Sequence, residues 1–245
     1  MVETRVIAVD LDGTLTLTDT LYESALVLAR SKPIMLFLLP FWLVKSVAYF
    51  KLKVAENSVL DVTTLPYNAP FIDWLKEQKA RGKTIVLCTA ANELIARNVY
   101  KHFDLFDDFI ASDETTNLKS ANKRKELEDK YGEHGYDYAG NSSADLEVWA
   151  GAAQAIVVNA SVTVLTKASK VASVSETFPS ENPNLSVWLK ALRVHQWLKN
   201  LLLFVPLLAA HQFGNFQSLA TLTLAFISFS LCASSVYIIN DLLDL

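Results

Sequence analysis

Over roughly the first two thirds of the chain, short apolar runs alternate with amphipathic stretches. The runs lie at 5–10 (RVIAVD), 83–89 (KTIVLCT), 107–112 (DDFIAS), 136–140 (YDYAG) and 154–159 (QAIVVN), and their length and β-branched content predict strands. Between them, helical spacing puts Phe71, Trp74, Leu75 and Gln78 on one face and Leu94, Ile95, Val99 and Phe103 on another. Strand and helix in alternation predict an α/β fold, a parallel sheet wrapped by helices. Such sheets bind ligands at the carboxyl ends of their strands, so the polar residues that end these runs matter most. They are Asp10, Thr89 and Asn141.

Three other segments depart from this rhythm. Residues 33–50 (PIMLFLLPFWLVKSVAYF) are apolar but interrupted by Pro40 and Lys45, and too short for the ~20 residues of a spanning helix. Arg30 and Lys32 precede this run and Lys51 and Lys53 follow it. Two readings stand side by side: a helical pair lying on an anionic membrane surface, or a helical cap whose Leu, Phe and Trp form its own core. Residues 161–185 are rich in Ser, Thr, Lys, Asn and Pro and read as a last edge element followed by a linker. After Lys190, Arg193 and Lys199, residues 201–240 contain no Asp, Glu, Lys or Arg. Leu201–Ala210, a turn at HQFGN and the uncharged run 219–240 predict a two-helix hairpin in lipid with its basic entry on the cytoplasmic side. The second arm would return Asn240, Asp241 and Asp244 to that same side.

Composition narrows the classes. Across 245 residues, 51% are hydrophobic, an excess concentrated in the segments just described. A net charge of −4 without a long basic run excludes phosphate-backbone recognition, so no nucleic-acid partner is expected. Cys88 and Cys232 lie far apart, which argues against a disulfide framework and fits a reducing compartment. The start MVETRVIAVD has no basic region followed by a long apolar core, so the chain is expected to begin in the cytoplasm.

The strongest chemical signal is VIAVDLDGTLT, where Asp10 and Asp12 end an apolar strand, Gly13 permits a tight turn and Thr14 can orient a carboxylate. A carboxylate becomes a competent nucleophile toward phosphorus only when the phosphate charge is neutralised, and a second acid eases departure of the leaving group. This stretch resembles the opening motif of the haloacid dehalogenase superfamily. The resemblance covers about residues 5–160 and implies a Rossmann-like sheet with a helical cap insert. It further implies phosphomonoester hydrolysis in which Asp10 forms an aspartyl-phosphate and Asp12 serves as acid and then base. On the same resemblance Thr89 and Lys119 would bind the phosphate, and Asp10, Asp12, Asn141 and Asp145 would hold Mg²⁺. Asn141 stands where the family usually has an acid; it keeps an oxygen ligand and loses a charge.

A second resemblance lies at the other end. NDLLD (Asn240, Asp241, Asp244) is similar to the first aspartate-rich motif of the UbiA family of intramembrane prenyltransferases, where such residues bridge Mg²⁺ to a diphosphate. LRVHQWLKNLLLFVPLLAAHQF resembles the first helix of members that transfer phosphoribose to a polyprenyl phosphate, which implies substrate contacts for Arg193, Lys199 and Asn200. UbiA proteins have many more helices and a second such motif, so the chain reads as a whole phosphatase followed by an incomplete transferase.

The expected organisation is a hydrolase domain at 1–165 with its cap at about 16–69, a linker at 166–187 and a transmembrane region at 188–245. The expected protein is a multi-pass, cytoplasmic-membrane enzyme with its hydrolase domain on the cytoplasmic side. Its substrate would be a phosphate on a lipid-linked phosphoribose. Two alternatives remain: a generalist membrane-anchored phosphatase of small molecules, or a non-catalytic phosphoryl-ligand sensor regulating the transferase.

Overall fold

Ile7, Ala8 and Val9 are buried in succession, which happens only where both faces of a sheet are covered. The computed structural model describes residues 5–180, 185–211 and 214–244, with side chains described to Leu242. It contains two compact units, residues 1–181 and 182–245. In the first, β1 (Val6–Val9), β2 (Ile85–Asn92), β3 (Asp108–Ser112), β4 (Tyr136–Gly140), β5 (Gln154–Val158) and β6 (Val174–Phe178) form one sheet in the order β3-β2-β1-β4-β5-β6. All five pairings are parallel. Chain order reverses across β1, and a crevice at such a switch point is where open α/β sheets take their ligands.

The helices of this unit are α1 (Thr20–Ser31), α2 (Leu39–Lys45), α3 (Val47–Asn57), α4 (Ala69–Ala80), α5 (Glu93–His102), α6 (Ala121–Tyr131), α7 (Leu146–Gly151) and α8 (Val162–Val171). Helices α4 and α5 cover one face of the sheet, where Phe71, Leu75, Ile95 and Val99 pack with Ile7, Val9, Ile85 and Leu87. On the other face, Leu127, Trp149 and Ala168 from α6, α7 and α8 pack with Ala8, Val86, Cys88 and Tyr138. Asn68 caps α4 by accepting from the Phe71 N–H, and Asn92 caps α5 through Leu94 N. Inward faces are rotated slightly from the expected ones. α4 buries Phe71, Ile72 and Leu75 with Trp74 half-buried, and α5 buries Ile95, Ala96 and Val99 while Leu94 lies exposed.

The expected linker at 166–187 is largely folded. Ser161 starts α8 by accepting from Val164 N, and β6 then adds the sixth strand, closing against β5. The Ser, Thr and Lys that read as linker are the solvent-facing positions of one short helix and an edge strand, a composition edges favour. The hydrolase unit therefore runs past 165, to β6.

The cap insert leaves the sheet through a narrow neck. Thr16 and Tyr67 form an antiparallel bridge, Leu17 N donates to Pro66 O at 2.7 Å, and Asn68 N donates to Leu15 O at 2.9 Å. Residues 16 and 67 are thereby held side by side. Within the cap, α1 and α3 bury Leu28, Ala48, Val54 and Ala55. The 3₁₀ run Pro33–Leu38 and α2 bury no residue.

In the second unit, α9 (Leu185–Ala191) leads into a 3₁₀ run, Val194–Phe204, then α10 (Val205–Ala209) and the long α11 (Phe216–Asp244). One helix among the described residues, Phe216–Leu242, is long and apolar enough to cross a membrane. The first arm of the expected hairpin, Leu201–Ala210, falls largely within the apolar helical stretch Val194–Ala209, which is shorter than the ~20 residues a span needs. Tight 3₁₀ winding and Pro206 at the start of α10 divide it into two pieces. This stretch is tied to α11 by polar bonds. Asn200 Nδ2 donates to Ser230 Oγ at 2.8 Å, Trp197 Nε1 donates to Ser234 Oγ at 3.0 Å, and Ser234 Oγ donates to Leu192 O at 2.6 Å.

Candidate active site

Asp10 follows β1 directly, and its N–H donates to Ala139 O of β4 at 3.0 Å, so the backbone at the switch point is held by the neighbouring strand. Residues Leu11–Leu15 then make a loop, non-helical at Asp12 and Gly13, that is closed by Leu15 N donating to Asp10 O and Thr16 N to Leu11 O. Gly13 stands in that loop at φ +73°, in the left-handed region, and a Cβ on it would lie 2.1 Å from Asn141 Nδ2. Gly13→Ala is expected to combine backbone strain with displacement of Asn141. Turnover should fall about five- to 150-fold, the equivalent of roughly 1–3 kcal/mol on the site geometry, measurable as kcat on any accepted substrate.

Asp10 is almost wholly buried and meets an equally buried cation: Lys123 Nζ donates to Asp10 Oδ1 at 2.8 Å. The same ammonium donates to Tyr138 Oη at 2.8 Å, and the Tyr138 hydroxyl donates to Asp145 Oδ1 at 2.8 Å. Burial pushes Asp10 up to about 7, against the lowering pull of Lys123. Burial also works against the charge on Lys123, but Asp10 and Asp145 more than offset it, so the ammonium is held above its ordinary value. Lys123 is therefore a fixed positive charge beside the candidate nucleophile.

Asp12 is fixed from the cap side. Its Oδ1 accepts from Thr20 N, the first residue of α1, at 2.7 Å. Burial raises its pKa, opposed chiefly by that backbone bond, which favours the protonated form a general acid needs. Asp10, Asp12, Asp19, Asn141, Asp145, Lys51, Lys119 and Lys123 together line a cleft of about 280 Å³.

Several sequence expectations are placed differently. Lys119 lines the cleft, but the lysine bonded to Asp10 is Lys123, one helical turn further on. Thr89 is fully buried and its hydroxyl oxygen accepts from Ala91 N at 2.9 Å, within the part of β2 where the register shifts between Cys88 and Asn92. Thr14 Oγ1 is buried with no hydrogen-bond partner, so it orients no carboxylate. Asp145 accepts four bonds, from Tyr138 Oη, Asn141 N, Ser142 N and Ser142 Oγ. Three of these bonds fall on Oδ2 and one on Oδ1, so Asp145 holds the loop after β4 through Oδ2 while lining the cleft.

Neither Lys51, which the sequence marks only as a cation flanking the apolar run, nor Tyr138 stands out there as a site residue. Lys51, from α3 of the cap, reaches Ala90 O at 2.6 Å and Asn117 Oδ1 at 2.9 Å and closes one side of the cleft. The signal for Lys123 was present in helix phase. Leu127 is the fully buried residue of α6, and Lys123 stands four residues before it on the same inward face.

The donors near Asp10 suit a hard cation such as Mg²⁺, being oxygens of Asp10, Asp12 and Asn141. Among the described residues, no group of three or more His, Cys, Asp or Glu side chains is gathered closely enough to hold a metal. The fit therefore requires the Asn141 amide oxygen or a main-chain carbonyl beside the two carboxylates.

In the second unit, Arg193 pairs with Asp241 at 2.5 Å and lies over the Tyr237 ring at 4.9 Å. Lys199 and Asn200 line a small recess with Arg193 and Tyr237. The two stretches that resemble a prenyltransferase are thus in contact through Arg193 and Asp241. The side chain of Asp244 lies outside the described residues.

Comparison with known proteins agrees with this geometry. The chain is 34% identical over 238 residues to the protein y4nM of Sinorhizobium fredii, covering 96% of this chain and 46% of that protein, so it spans about half the length of that relative. A decaprenyl-phosphate phosphoribosyltransferase of Mycobacterium tuberculosis is 41% identical over 59 residues, 22% of this chain and 20% of that protein. Among solved structures, a protein from Bordetella pertussis superposes with a TM-score of 0.54 at 17% identity, over 70% of this chain and 98% of that one. A substrate-bound phosphoserine phosphatase gives 0.51 at 15% identity, over 78% and 99%. At such identity these two structures speak for the fold alone. The family model of haloacid dehalogenase-like hydrolases matches residues 7–149, which span β1 with its two aspartates, the cap, Lys123 and the Asp145 loop. On that match, the chain belongs to the haloacid dehalogenase-like hydrolases.

Proposed function

We propose that the first unit is a phosphomonoester hydrolase working through an aspartyl-phosphate on Asp10, and that its substrate is a phosphorylated group carried on a lipid. The observation that carries the reaction class is the buried Asp10–Lys123 pair at the sheet's switch point, with Asp12 held separately by the first N–H of α1. Lys123 keeps positive charge beside the carboxylate and the incoming phosphoryl oxygens, the preorganised electrostatics that phosphoryl transfer relies on. An Asp10 oxygen attacks phosphorus, the ester P–O bond breaks, and Asp12 gives its proton to the departing alkoxide. Asp12, now ionised, takes a proton from water as that water attacks phosphorus. The Asp10–phosphate bond breaks, orthophosphate leaves, and both carboxyl groups return to their starting states. Mg²⁺ held by Asp10, Asp12 and Asn141 would neutralise phosphate charge.

The lipid-linked part rests on two sequence features: the apolar helix Phe216–Leu242, and the 59-residue likeness to an enzyme named for a polyprenyl phosphate. On this reading the second unit is part of a prenyltransferase-like module, with Arg193, Lys199, Asn200, Asn240, Asp241 and Asp244 marking its diphosphate region. A phosphatase tethered there would meet its substrate at high effective concentration. Phosphate release from a short-chain polyprenyl-phosphoryl-5-phosphoribose, compared with phosphoserine, tests this. A preference for the lipid-linked compound of at least about tenfold in kcat/KM, some 1.4 kcal/mol, is expected. Preference for phosphoserine would make the protein a generalist. Asn141 in place of an acid favours one further reading, a phosphoryl-ligand sensor, and turnover of neither compound would select it.

A further inference from the structure

The cap carries an apolar stripe that its own fold does not use. Ile34, Phe37, Phe41 and Val44 are 81%, 79%, 74% and 88% exposed and recur at three- and four-residue spacing along the continuous helical run Pro33–Lys45. The core of the cap is made elsewhere, by Leu28 of α1 and Ala48, Val54 and Ala55 of α3. Large contiguous apolar patches are rare on soluble monomers and mark a surface that something covers.

Charge identifies what covers it. Residues 24–55 contain five basic residues and no acidic one. Lys51 is turned inward to Ala90 O, and Lys53 pairs with Glu56, leaving Arg30, Lys32 and Lys45 exposed at the two ends of the stripe. Aromatic and aliphatic side chains on a helix face rimmed by exposed cations match an interfacial helix on an anionic bilayer. The run is too short to span, and Phe216–Leu242 of the same chain is long and apolar enough to hold the protein at a membrane. We infer that the Pro33–Lys45 stripe seats in the surface of an anionic lipid bilayer. The cap would then place the wall of the cleft that bears Lys51 at headgroup level. This inference concerns the surface alone and does not depend on the chemistry at Asp10.

The test uses the full chain in phosphatidylcholine vesicles containing a minority of phosphatidylglycerol. Cys232→Ser removes the exposed thiol, and Cys88, fully buried, stays unlabelled. Nitroxide labels are placed one at a time by Phe37→Cys, Phe41→Cys and Val44→Cys, with Val162→Cys on exposed α8 as control. Collision with oxygen and with a water-soluble nickel chelate is read by electron paramagnetic resonance. The three cap labels should gain oxygen and lose nickel contact relative to the control, more so with phosphatidylglycerol than without. The Val44 label should regain nickel contact when Phe37→Asp and Phe41→Asp are added. Nickel access at all three sites equal to the control would overturn the inference. Shielding from both reagents would overturn it too, because it would show a protein partner or a second copy on the stripe.

Discussion

Replacing Asp10 by Asn is expected to lower kcat by at least about 10⁴-fold, the scale seen when a covalent nucleophile is removed. The amide cannot form the acyl phosphate that a carboxylate forms, yet its oxygen can still accept from Lys123 Nζ, now 2.8 Å from Asp10 Oδ1. The fold should therefore survive. Lys123 would be left as a buried cation without its anion, but Tyr138 Oη and Asp145 remain in the same bonded chain. Circular dichroism like that of the wild type, with turnover gone, is the combination expected. Loss of turnover through global unfolding would show instead that the pair is chiefly structural.

Lys123→Met is expected to cost both stability and rate. Methionine fills much of the space but leaves Asp10 buried with no counter-ion, and breaking such a pair typically costs about 3–5 kcal/mol. The pH dependence gives a signature. In the wild type Asp10 is already raised to about 7 by burial, even with Lys123 lowering it, so the variant's Asp10 must titrate higher still. A folded-state pKa above the unfolded one means that the group stabilises the protein when protonated and loses that contribution as pH rises. Urea unfolding should accordingly show the variant's deficit relative to the wild type largest at alkaline pH, shrinking as pH falls toward 7 and levelling off below it, where Asp10 is protonated in both folded proteins. The rate should fall about 10²–10³-fold, as when one preorganised donor to a developing anion is lost. Lys119→Met serves as the comparison, with no buried anion left behind and a smaller effect on both measurements.

The contrast between these two lysines shows what the sequence could carry. Strand ends are local: a run of apolar residues followed by Asp-x-Asp-Gly announces itself, and β1, Asp10 and Asp12 stand where pattern alone puts them. The lysine paired with Asp10 depends on helix phase. It faces the cleft because α6 begins at Ala121 and buries Leu127, and that register is fixed by packing on the sheet rather than by any residue near Lys119. The role of Asp145 was obscured in a similar way. Spacing marks it as an acid after a strand, but only the folded loop shows its bonds to Tyr138, Asn141 and Ser142.

Composition misled at 166–187, where Ser, Thr and Lys belong to the exposed sides of α8 and β6. It also left two readings open at 33–50, because an apolar run gives no account of which side chains find partners. Burial counts against the second of those readings: the cap's core lies in α1 and α3, and Ile34, Phe37, Phe41 and Val44 face outward. In the second unit, hydropathy alone could not show that the first arm is divided at Val205 into a 3₁₀ run and a short α-helix.

The most direct measurement is to identify the covalent intermediate. The full chain would be incubated with Mg²⁺ and a hydrolysable phosphomonoester, quenched in acid and digested, and the peptide containing residues 5–16 examined by mass spectrometry. The account predicts a phosphate on Asp10 in the wild type and none in the Asp10→Asn variant. Turnover that persists in that variant, or a phosphate carried on any other residue, would contradict it.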